Sequence, residues 1–536
     1  MSIDTAVLER AAPRLLACFN PATGARLGEI PVATPADVAA AVARARAVQP
    51  QWATSSFAQR RAVLADLMAR ILANIDGICD AIVEDSGKTY ENALLGEIMT
   101  VCAKIDWMRR YGERWLKPER VRSGLLLHKK GWIEYRPLGV VACIVPWNYP
   151  FQNIYGSLIA PLMAGNAVII KPSEVTAWSA RWLDRFIRDS LSRAGFPADI
   201  VQVIHGDGIT GAALVRAGVQ KILFIGSALH GRHIVEGSAA TLTPVIMELG
   251  GKDPFIVCED ADLAQAVPAA LGGCFINLGQ NCVAAERMIV LDAIHDRFVD
   301  AVTRAAGALR QGVPLAPGAA DVGAITSPAQ VGIIDTLVRD ALARGARALV
   351  GGAVPAGGGN FYPPTVLVDV TPDMRIAREE VFGPVMLIMR VASDEEAIAL
   401  ANRTEYGLQA TIMTRDAARA RRIAAALECG GCAINDFGMC YLNQDLPFGG
   451  VKSSGFGRMN GRDGLRAYTN AKAILADRFW FSVPAGVFPV KPGDYARARA
   501  TVRLLFACGW REKLRALREV LSPPVKFQAH PPRQVP

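Results

Sequence analysis

The chain has 536 residues, of which 51% are hydrophobic and 20% are charged. This composition excludes a disordered chain, and the length suggests about three domains. The net charge is +9, but residues 480–536 contain ten Lys or Arg and three Asp or Glu, which leaves only +2 for the remainder. We therefore expect no nucleic-acid binding by the main body of the chain.

The N-terminal region, up to about residue 115, is predicted to be helical because apolar positions recur at helical spacing in 33–53 and again in 57–87. Thr34 before Pro35 is typical of a helix start. Residues 125–137 (LLLHKKGWIEYRP) are predicted to form two strands around Lys129–Gly131.

From residue 139 to residue 251, short apolar runs that end in Gly, Pro or Lys alternate with helical stretches. This alternation predicts a parallel sheet with helices on both faces. A second series of strands and helices follows from Asp253 to about Gly450. The expected fold class is therefore α/β.

Eleven cysteines are scattered without a repeating spacing, and the N-terminus lacks the apolar core of a secretory signal. We therefore expect a reducing, cytoplasmic environment. The longest uncharged stretch, residues 138–170, contains three prolines and several Asn and Gln residues. We expect it to form buried strand, loop and helix, and not a membrane span.

A cysteine is the first candidate for chemistry. Cys282 lies between Gly-Gln-Asn and Val-Ala-Ala on a small polar turn, where a thiolate could be exposed and activated. Isolated cysteines are commonly small buried hydrophobes, so this segment alone leaves both roles open.

Two further residues could act beside such a thiol. Glu248 ends an apolar run just before Gly250-Gly251, and a carboxylate there either caps a strand or is a buried base of raised pKa. Asn148 lies in a proline-flanked turn after an apolar strand. An Asn N–H is a common oxyanion donor, although most such residues only shape the turn.

Two loops are candidates for binding a cofactor. Gly226 and Gly231 frame a loop between a strand and a helix, and a helix N-terminus favours a pyrophosphate. Lys171 and Glu174 follow another strand, where they either hydrogen-bond ribose hydroxyls or form a solvated pair.

The segments PWN, KPSE, Gly226–Gly231, ELGG, GQ-x-C, EEVFGPV and PFGGVKSSGFGR follow one another in this order. In order and spacing they resemble the aldehyde dehydrogenase superfamily over residues 19–477. The resemblance implies that Cys282 attacks an aldehyde to form a thiohemiacetal and, after hydride transfer, a thioester. It further implies that Asn148 and the backbone N–H of Cys282 hold the oxyanion, and that Glu248 activates the hydrolytic water.

The resemblance also implies a cofactor, NAD, with NADP as the alternative, because Glu174 would repel a 2′-phosphate. Glu380 would bind the ribose on the nicotinamide side, Phe382 would pack beside the ring, and Lys171 would hold the adenine-side ribose together with Glu174. The cofactor residues implied in this way are Trp147, Lys171, Ser173, Glu174, Gly226, Ser227, Gly231, Leu249, Glu380 and Phe382.

The implied architecture has a Rossmann-like dinucleotide-binding domain (1–120 and 138–250), an α/β catalytic domain (251–450) and a small β bridging unit (121–137 and 451–479). That bridge would make homodimers or homotetramers. Residues 480–536 form a basic amphipathic extension, with Val502, Phe506, Trp510, Leu514, Leu517 and Leu521 on one helical face. We expect it either to dock on the protein or a partner subunit, or to contact an anionic membrane surface peripherally.

Competing interpretations make different demands on these residues. Glu248 argues against transfer of the acyl group to coenzyme A, and the set Cys282, Glu248 and Asn148 argues against a membrane-tethered relative with little activity. Cys429–Cys432 is a C-x-x-C and His230–His233 an H-x-x-H, the latter expected at the surface or in the first turn of a helix. Neither has a second pair at metal spacing, so no metal is expected.

The substrate tunnel is expected to be partly polar. Its implied polar residues are Tyr149, Gln152, Asn281, Tyr441 and Asn443. No Lys or Arg in these segments offers a partner for a carboxylate, so a semialdehyde acid is not favoured as the substrate.

Overall fold

The computed structural model describes residues 14–357, 359–481 and 488–521. Residues 1–13, on which the absence of a secretory signal rests, lie outside the described residues, as do 482–487 and 522–536 of the extension. No helix among the described residues is both long and apolar enough to cross a membrane.

The helices are α1 Pro35–Ala53, α2 Phe57–Ala73, α3 Ile75–Ser86, α4 Tyr90–Ala93, α5 Met99–Leu116, α6 Pro150–Met163, α7 Ala177–Leu183, α8 Arg185–Arg193, α9 Gly208–Val215, α10 Ala228–Ala239, α11 Leu263–Phe275, α12 Asp292–Gly307, α13 Pro328–Ala343, α14 Arg375–Arg378, α15 Asp394–Asn402, α16 Ala417–Ala426, α17 Met439–Leu442, α18 Gly461–Arg466, α19 Asp494–Phe506 and α20 Trp510–Leu521. Thr34 begins α1 as predicted, since its side chain accepts the Asp37 N–H while the Asp37 carboxylate accepts the Thr34 N–H.

The strands are β1 Leu15–Phe19, β2 Arg26–Pro31, β3 Glu119–Val121, β4 Lys129–Pro137, β5 Val140–Val145, β6 Ala167–Pro172, β7 Val201–Val203, β8 Lys221–Ile225, β9 Val245–Glu248, β10 Asp253–Val257, β11 Ala285–Leu291, β12 Arg347–Val350, β13 Thr365–Val368, β14 Val385–Val391, β15 Gln409–Met413, β16 Gly431–Ile434, β17 Gly455–Phe456 and β18 Thr469–Asp477.

Two parallel sheets dominate the fold and confirm the α/β class. The first has the strand order β17-β9-β8-β5-β6-β7 and the second has the order β12-β13-β14-β11-β10-β15-β16. Only β17 and β12 run antiparallel to their neighbours. Strands β5 to β9 are buried almost throughout, as in a sheet covered by helices on both faces.

The strand order places a crevice where the direction of winding reverses. From β5 the chain adds β6 and β7 on one side, then returns to add β8 and β9 on the other. Loops that follow the carboxyl ends of strands on either side of such a reversal diverge and leave a ligand crevice. The loops after β5 and β8 are those that contain Asn148 and Gly226.

Three predictions of local structure are wrong. The N-terminal region is not wholly helical, because β1 and β2 form an antiparallel hairpin whose turn is closed by the Asn20 side chain. Residues 125–137 contain one strand, since Leu125 to Leu127 are exposed and lie in turns. The apolar positions 502–521 do not share one helix, because Ala507 adopts an extended conformation and separates α19 from α20.

The described chain divides into two compact units. The larger contains residues up to Glu119 together with Ile133–Ala473, and the smaller contains Arg120–Trp132 and the residues from Ile474 onwards. A third sheet has the strand order β18-β4-β3. The three-domain division and the homo-oligomer implied by the sequence remain predictions.

Candidate active site

A cavity of about 1460 Å³ lies within the larger unit. Its wall contains eleven of the thirteen residues that the sequence implies, namely Trp147, Asn148, Lys171, Ser173, Glu174, Gly226, Ser227, Glu248, Cys282, Glu380 and Phe382. The other two, Gly231 and Leu249, are not among the lining residues. A side chain at Gly231 would collide with Leu249, so these two residues pack α10 against the end of β9.

A sharp turn presents Cys282 to this cavity. Between α11 and β11, Asn277 and Leu278 adopt positive φ angles of 52° and 54°, a conformation that costs free energy for residues other than glycine. At Gly279, with φ 67°, a side chain would collide with the backbone of Gly383. The turn therefore requires glycine there, and it places Cys282 in the cavity before the chain enters the buried strand β11.

Asn148 is held from three directions. Its side-chain Nδ2 donates to the Gln280 carbonyl at 3.0 Å, and its Oδ1 accepts from Asn153 at 3.1 Å. Its backbone carbonyl accepts from Lys88 and Asn277. Since an amide nitrogen carries two hydrogens, the second N–H of Asn148 remains for a ligand in the cavity.

A buried ion pair lies beneath the Asn148 loop. The Lys88 and Glu97 side chains are 0% exposed, and Lys88 Nζ lies 2.6 Å from Glu97 Oε1 and 2.7 Å from the Asn148 carbonyl. The other oxygen of Glu97 accepts the N–H groups of Phe151 and Gln152 at the N-terminus of α6. Glu97 belongs to a π-helical segment, Leu94–Ile98, between α4 and α5. The pair therefore fixes the backbone on both sides of Tyr149.

A second buried ion pair holds the loop that contains Glu380 and Phe382. Lys252 pairs with Glu286, and Glu286 accepts the backbone N–H groups of Val381 and Phe382. Phe382 then lies edge-on to Trp147, with ring centroids 5.4 Å apart. Both pairs use the same principle, in which a buried carboxylate is satisfied by one lysine and by backbone N–H groups of a cavity loop.

The acid–base groups of the site are coupled. Burial raises the pKa of Glu248 to about 7, although a hydrogen bond from the Cys282 thiol and one from the Gly250 backbone oppose that rise. Burial, followed by the charge of Glu248, raises the pKa of Cys282 well above its ordinary value. Without ligands the cysteine is therefore a thiol, and a carboxylate that titrates near neutrality lies within hydrogen-bonding reach of its proton.

The wall formed by the first sheet suits a dinucleotide. Ser227 caps α10 by accepting the N–H of His230, so the first turn of a twelve-residue helix faces the crevice. Lys171, near the end of β6, and Glu174, just after that strand, form an ion pair at 3.1 Å, at a position suited to ribose hydroxyls. His230 and His233, expected at the surface or in the first turn of a helix, lie in the first two turns of α10 and also line the cavity.

The opposite end of the cavity is mainly apolar. It is lined by Leu95, Met99, Phe437, Leu442, Phe448 and Met459. Tyr149, Gln152, Asn281 and Tyr441 supply polar groups as predicted, and Gln152 contacts the Tyr441 hydroxyl, but Asn443 does not reach the wall. Residues 95–100 also contribute to this wall, which was not predicted, and their one signal in the sequence is an acidic residue, Glu97, within an apolar helical stretch.

The C-x-x-C at Cys429 and Cys432 is the cysteine pair that could have belonged to a metal site. Cys429 and Cys432 are free thiols near the start of β16, and the Cys429 thiol donates to the Gly431 carbonyl at 3.1 Å. In the part of the chain that the structure describes, no group of three or more His, Cys, Asp or Glu side chains could hold a metal ion.

Comparison with known proteins gives the class of the molecule. Residues 8–474 match the aldehyde dehydrogenase family. An aldehyde dehydrogenase-like protein of Schizosaccharomyces pombe is 38% identical over 476 residues, which cover 87% of this chain and 90% of that protein. The succinate semialdehyde dehydrogenase [NAD(P)+] of Escherichia coli is 36% identical over 464 residues, covering 86% and 97%.

A solved structure agrees with this classification. The NAD+ complex of an aldehyde dehydrogenase from Bacillus cereus superimposes with a TM-score of 0.82 at 31% identity, covering 87% of this chain and 94% of that one. The chain therefore belongs to the aldehyde dehydrogenase family. It is an oxidoreductase that acts on an aldehyde with NAD or NADP.

Removing one partner of the Lys88–Glu97 pair should damage both stability and catalysis. Lys88→Met leaves the Glu97 carboxylate buried without its cation, which should cost about 3–5 kcal/mol of unfolding free energy. The double variant Lys88→Met/Glu97→Gln should recover part of that loss, because both charges are then gone. Thermal unfolding of the three proteins checks this order. A Lys88→Met protein as stable as the unaltered one would show that the pair does not hold the loop.

Proposed function

We propose that this protein oxidises an uncharged aldehyde to a free carboxylic acid through a thiohemiacetal and a thioester on Cys282. The observation that carries the proposal is the placement of Glu248, buried, with a pKa near 7 and close enough to Cys282 for each group to affect the other's pKa, in a cavity shared with Asn148. A base of that pKa is half ionised at neutral pH, so it can accept a proton and later release it.

The first half of the reaction uses the thiol. Glu248 accepts the Sγ proton, and the Cys282 sulfur forms a bond to the aldehyde carbon while the carbonyl oxygen becomes an oxyanion. The remaining N–H of Asn148 and the backbone N–H of Cys282 donate to that oxygen and stabilise its charge. When bound, NAD(P)+ would supply the acceptor for the hydride that leaves this carbon. The oxygen regains its double bond, and Cys282 then carries the acyl group as a thioester.

The second half of the reaction releases the acid. Glu248 first releases the thiol proton to solvent. It then takes a proton from water while the water oxygen bonds to the acyl carbon, and the Cys282 sulfur leaves as a thiolate and recovers that proton from Glu248. This role requires a base that can bind water near the sulfur. Glu248 lines the cavity, and its buried Oε1 has no hydrogen-bond partner in the described residues, so it is free to accept one from water. Transfer to coenzyme A would need no such base, so the presence of Glu248 favours hydrolysis.

NAD is the proposed cofactor, with NADP as the weaker alternative. Trp147, Ser173, Ser227, Lys171 and Glu174 would hold it along the first sheet, with Gly226 giving the backbone room to approach the phosphates. Gly231 and Leu249 would act only by packing the cofactor helix. Glu380 and Phe382 would contact the nicotinamide end, since their loop faces Trp147 and Gly250.

The apolar end of the cavity defines the proposed substrate class. Lys171 and Arg216 are the only Lys or Arg residues among the described lining residues, and both belong to elements of the cofactor wall. Asp436 is the charged residue near the apolar side chains. A carboxylate on the substrate would find no cation there, so desolvating it would be costly.

Two variants should separate the two halves of the reaction. Cys282→Ala should form no NADH, because no bond to the aldehyde carbon can form. Glu248→Gln should still form up to about one NADH per site, at a lowered rate because the thiol proton must then pass to water. It should afterwards turn over at least ~100-fold more slowly, since deacylation lacks its base. Stopped-flow absorbance checks both, with Cys508→Ala as the control, because that exposed thiol lies outside the cavity. Full steady-state activity in Glu248→Gln would refute the assigned base, and acyl-coenzyme A as product would refute hydrolysis.

The pH profile should follow the Glu248 carboxyl. The base is active when ionised, so kcat should rise as the pH increases through about 7 and should level off above it. Glu248→Gln should lose this rising limb, whereas Glu248→Asp should keep it at a lower rate. If kcat of Glu248→Gln still rose with pH around the same midpoint, the titrating group would be a residue other than Glu248.

Cofactor preference should depend on Glu174. The unaltered protein should show a kcat/KM at least about tenfold higher with NAD+ than with NADP+, because the Glu174 carboxylate faces the position of a 2′-phosphate. Glu174→Gln should lower this ratio by raising kcat/KM with NADP+. Glu395→Gln, on α15 outside the cavity lining, should leave the ratio unchanged. A preference for NADP+ in the unaltered protein would contradict the proposed contact.

Substrate charge should decide efficiency. Hexanal, decanal and benzaldehyde should give kcat/KM values at least about tenfold above that of succinate semialdehyde. The carboxylate of the semialdehyde would lose its hydration at the apolar end of the cavity, where no cation pairs with it. Leu442→Lys should narrow the gap, and Leu442→Gln serves as the uncharged control. A higher value for succinate semialdehyde in the unaltered protein would show that the substrate class is wrong.

A further inference from the structure

The described part of the C-terminal extension is a pair of short helices that pack against each other. Ala500 of α19 and Ala516 of α20 are almost completely buried, which indicates the contacting faces. Arg503 of α19 lies 3.2 Å from Glu512 and 3.8 Å from Glu519 of α20. Both acidic residues of α20 are thus directed towards its partner helix.

The opposite face of α20 is apolar and exposed. Positions 510, 514, 517 and 521 follow helical spacing and lie on one side, roughly opposite Ala516. Trp510 is 68% and Leu521 75% exposed, and Leu514 and Leu517 are also exposed. On α19, Tyr495, Val502 and Phe506 form a second exposed apolar row. Side chains of this size rarely point into water in such numbers unless something covers them.

Cationic side chains border this apolar face. Arg511 and Arg515 lie on one side of the α20 row and Lys513 on the other. None of these three forms an ion pair with a described residue. Because the two glutamates are occupied by Arg503, the outward surface of α20 combines apolar side chains with uncompensated positive charge. This is the charge pattern of helices that lie in the headgroup region of an anionic bilayer.

Exposed aromatic residues adjoin the helical pair in sequence. Trp480 is 97% exposed and Phe488 84% exposed, while Phe479 and Phe481 stack with ring centroids 5.4 Å apart. Tryptophan and other aromatic rings favour the interface between water and lipid, where the ring is partly apolar and its N–H remains hydrated.

We propose that the basic amphipathic face of α20, with the α19 row and Trp480, binds the surface of a membrane that contains anionic lipids. The complementarity of charge selects this occupant, because lipid phosphates and carboxylates match the Arg and Lys border while the acyl region takes the apolar row. Binding would place the enzyme at a lipid surface without a spanning segment. This inference stands independently of the chemistry at Cys282.

Vesicle flotation of the full-length protein tests the proposal. The protein should float with phosphatidylcholine vesicles that contain about 30% phosphatidylserine, but not with pure phosphatidylcholine, and salt should release it. Trp510→Gln/Leu514→Gln/Leu521→Gln and Arg511→Glu/Lys513→Glu/Arg515→Glu should each lower the bound fraction at least ~10-fold. Both should keep the NADH-forming activity of the unaltered protein, which shows that they are folded.

A charge-matched control separates the surface from bulk charge. Arg297→Glu/Arg304→Glu/Arg421→Glu alters three exposed arginines on α12 and α16 that form no ion pair with a described residue. This control should float as the unaltered protein does. The proposal is overturned if flotation does not require phosphatidylserine or if this control loses as much binding as the α20 variant. It is also overturned if the apolar variant changes only the oligomeric state, which would make a second copy the occupant, or if duplex DNA binds more tightly than the vesicles.

Discussion

Two buried Lys–Glu pairs are the constraint on which the site depends. Taking an ion from water into a protein interior costs several kcal/mol, so a buried pair need not add stability. Here each pair has a further use. Glu97 accepts two backbone N–H groups from the N-terminus of α6, which follows the Asn148 turn, and Glu286 accepts two from the loop of Phe382. One pair positions the Asn148 loop and the other positions the loop of Phe382. The proposed chemistry at Cys282 therefore depends on residues that do not line the cavity.

The same burial that makes these pairs rigid also sets the acid–base behaviour. At these buried positions the ionised forms of Glu248 and Cys282 are both disfavoured, and their pKa values rise. Cys282 is therefore protonated at neutral pH, and Glu248 is the nearby group that can accept its proton. The strained turn at Asn277 and Leu278 holds Cys282, the proposed nucleophile, in place, and the Asn277 amide donates to the Asn148 carbonyl.

Much of this site could be predicted from sequence, because its motifs follow the carboxyl ends of parallel strands. Asn148, Gly226 and Glu248 follow or end β5, β8 and β9, so sheet topology alone brings them together. Lys88 and Glu97 could not be found in this way, since Lys88 lies 60 residues from the carbonyl that it binds and precedes both sheets. A charged residue in an apolar helix does not reveal its partner.

Predictions from local patterns are wrong where the apolar residues do not pack against a core. Leu125 to Leu127 look like a strand but are exposed in turns, and the apolar positions of the extension continue across the break at Ala507. Gly231 and Leu249 match family motifs, yet they pack together behind the cavity wall. In each case the residue types are right for the pattern, and only the tertiary neighbours decide what the pattern does.

The central claim is that these held loops serve a covalent reaction at Cys282, and mass spectrometry tests it most directly. Glu248→Gln protein would be mixed with an aldehyde and NAD+, quenched in acid and digested. The account predicts that the acyl group is carried by the peptide that contains Cys282, and that no adduct forms without NAD+. An acyl group on another cysteine, or NADH formation with no acyl-protein at any time, would contradict it.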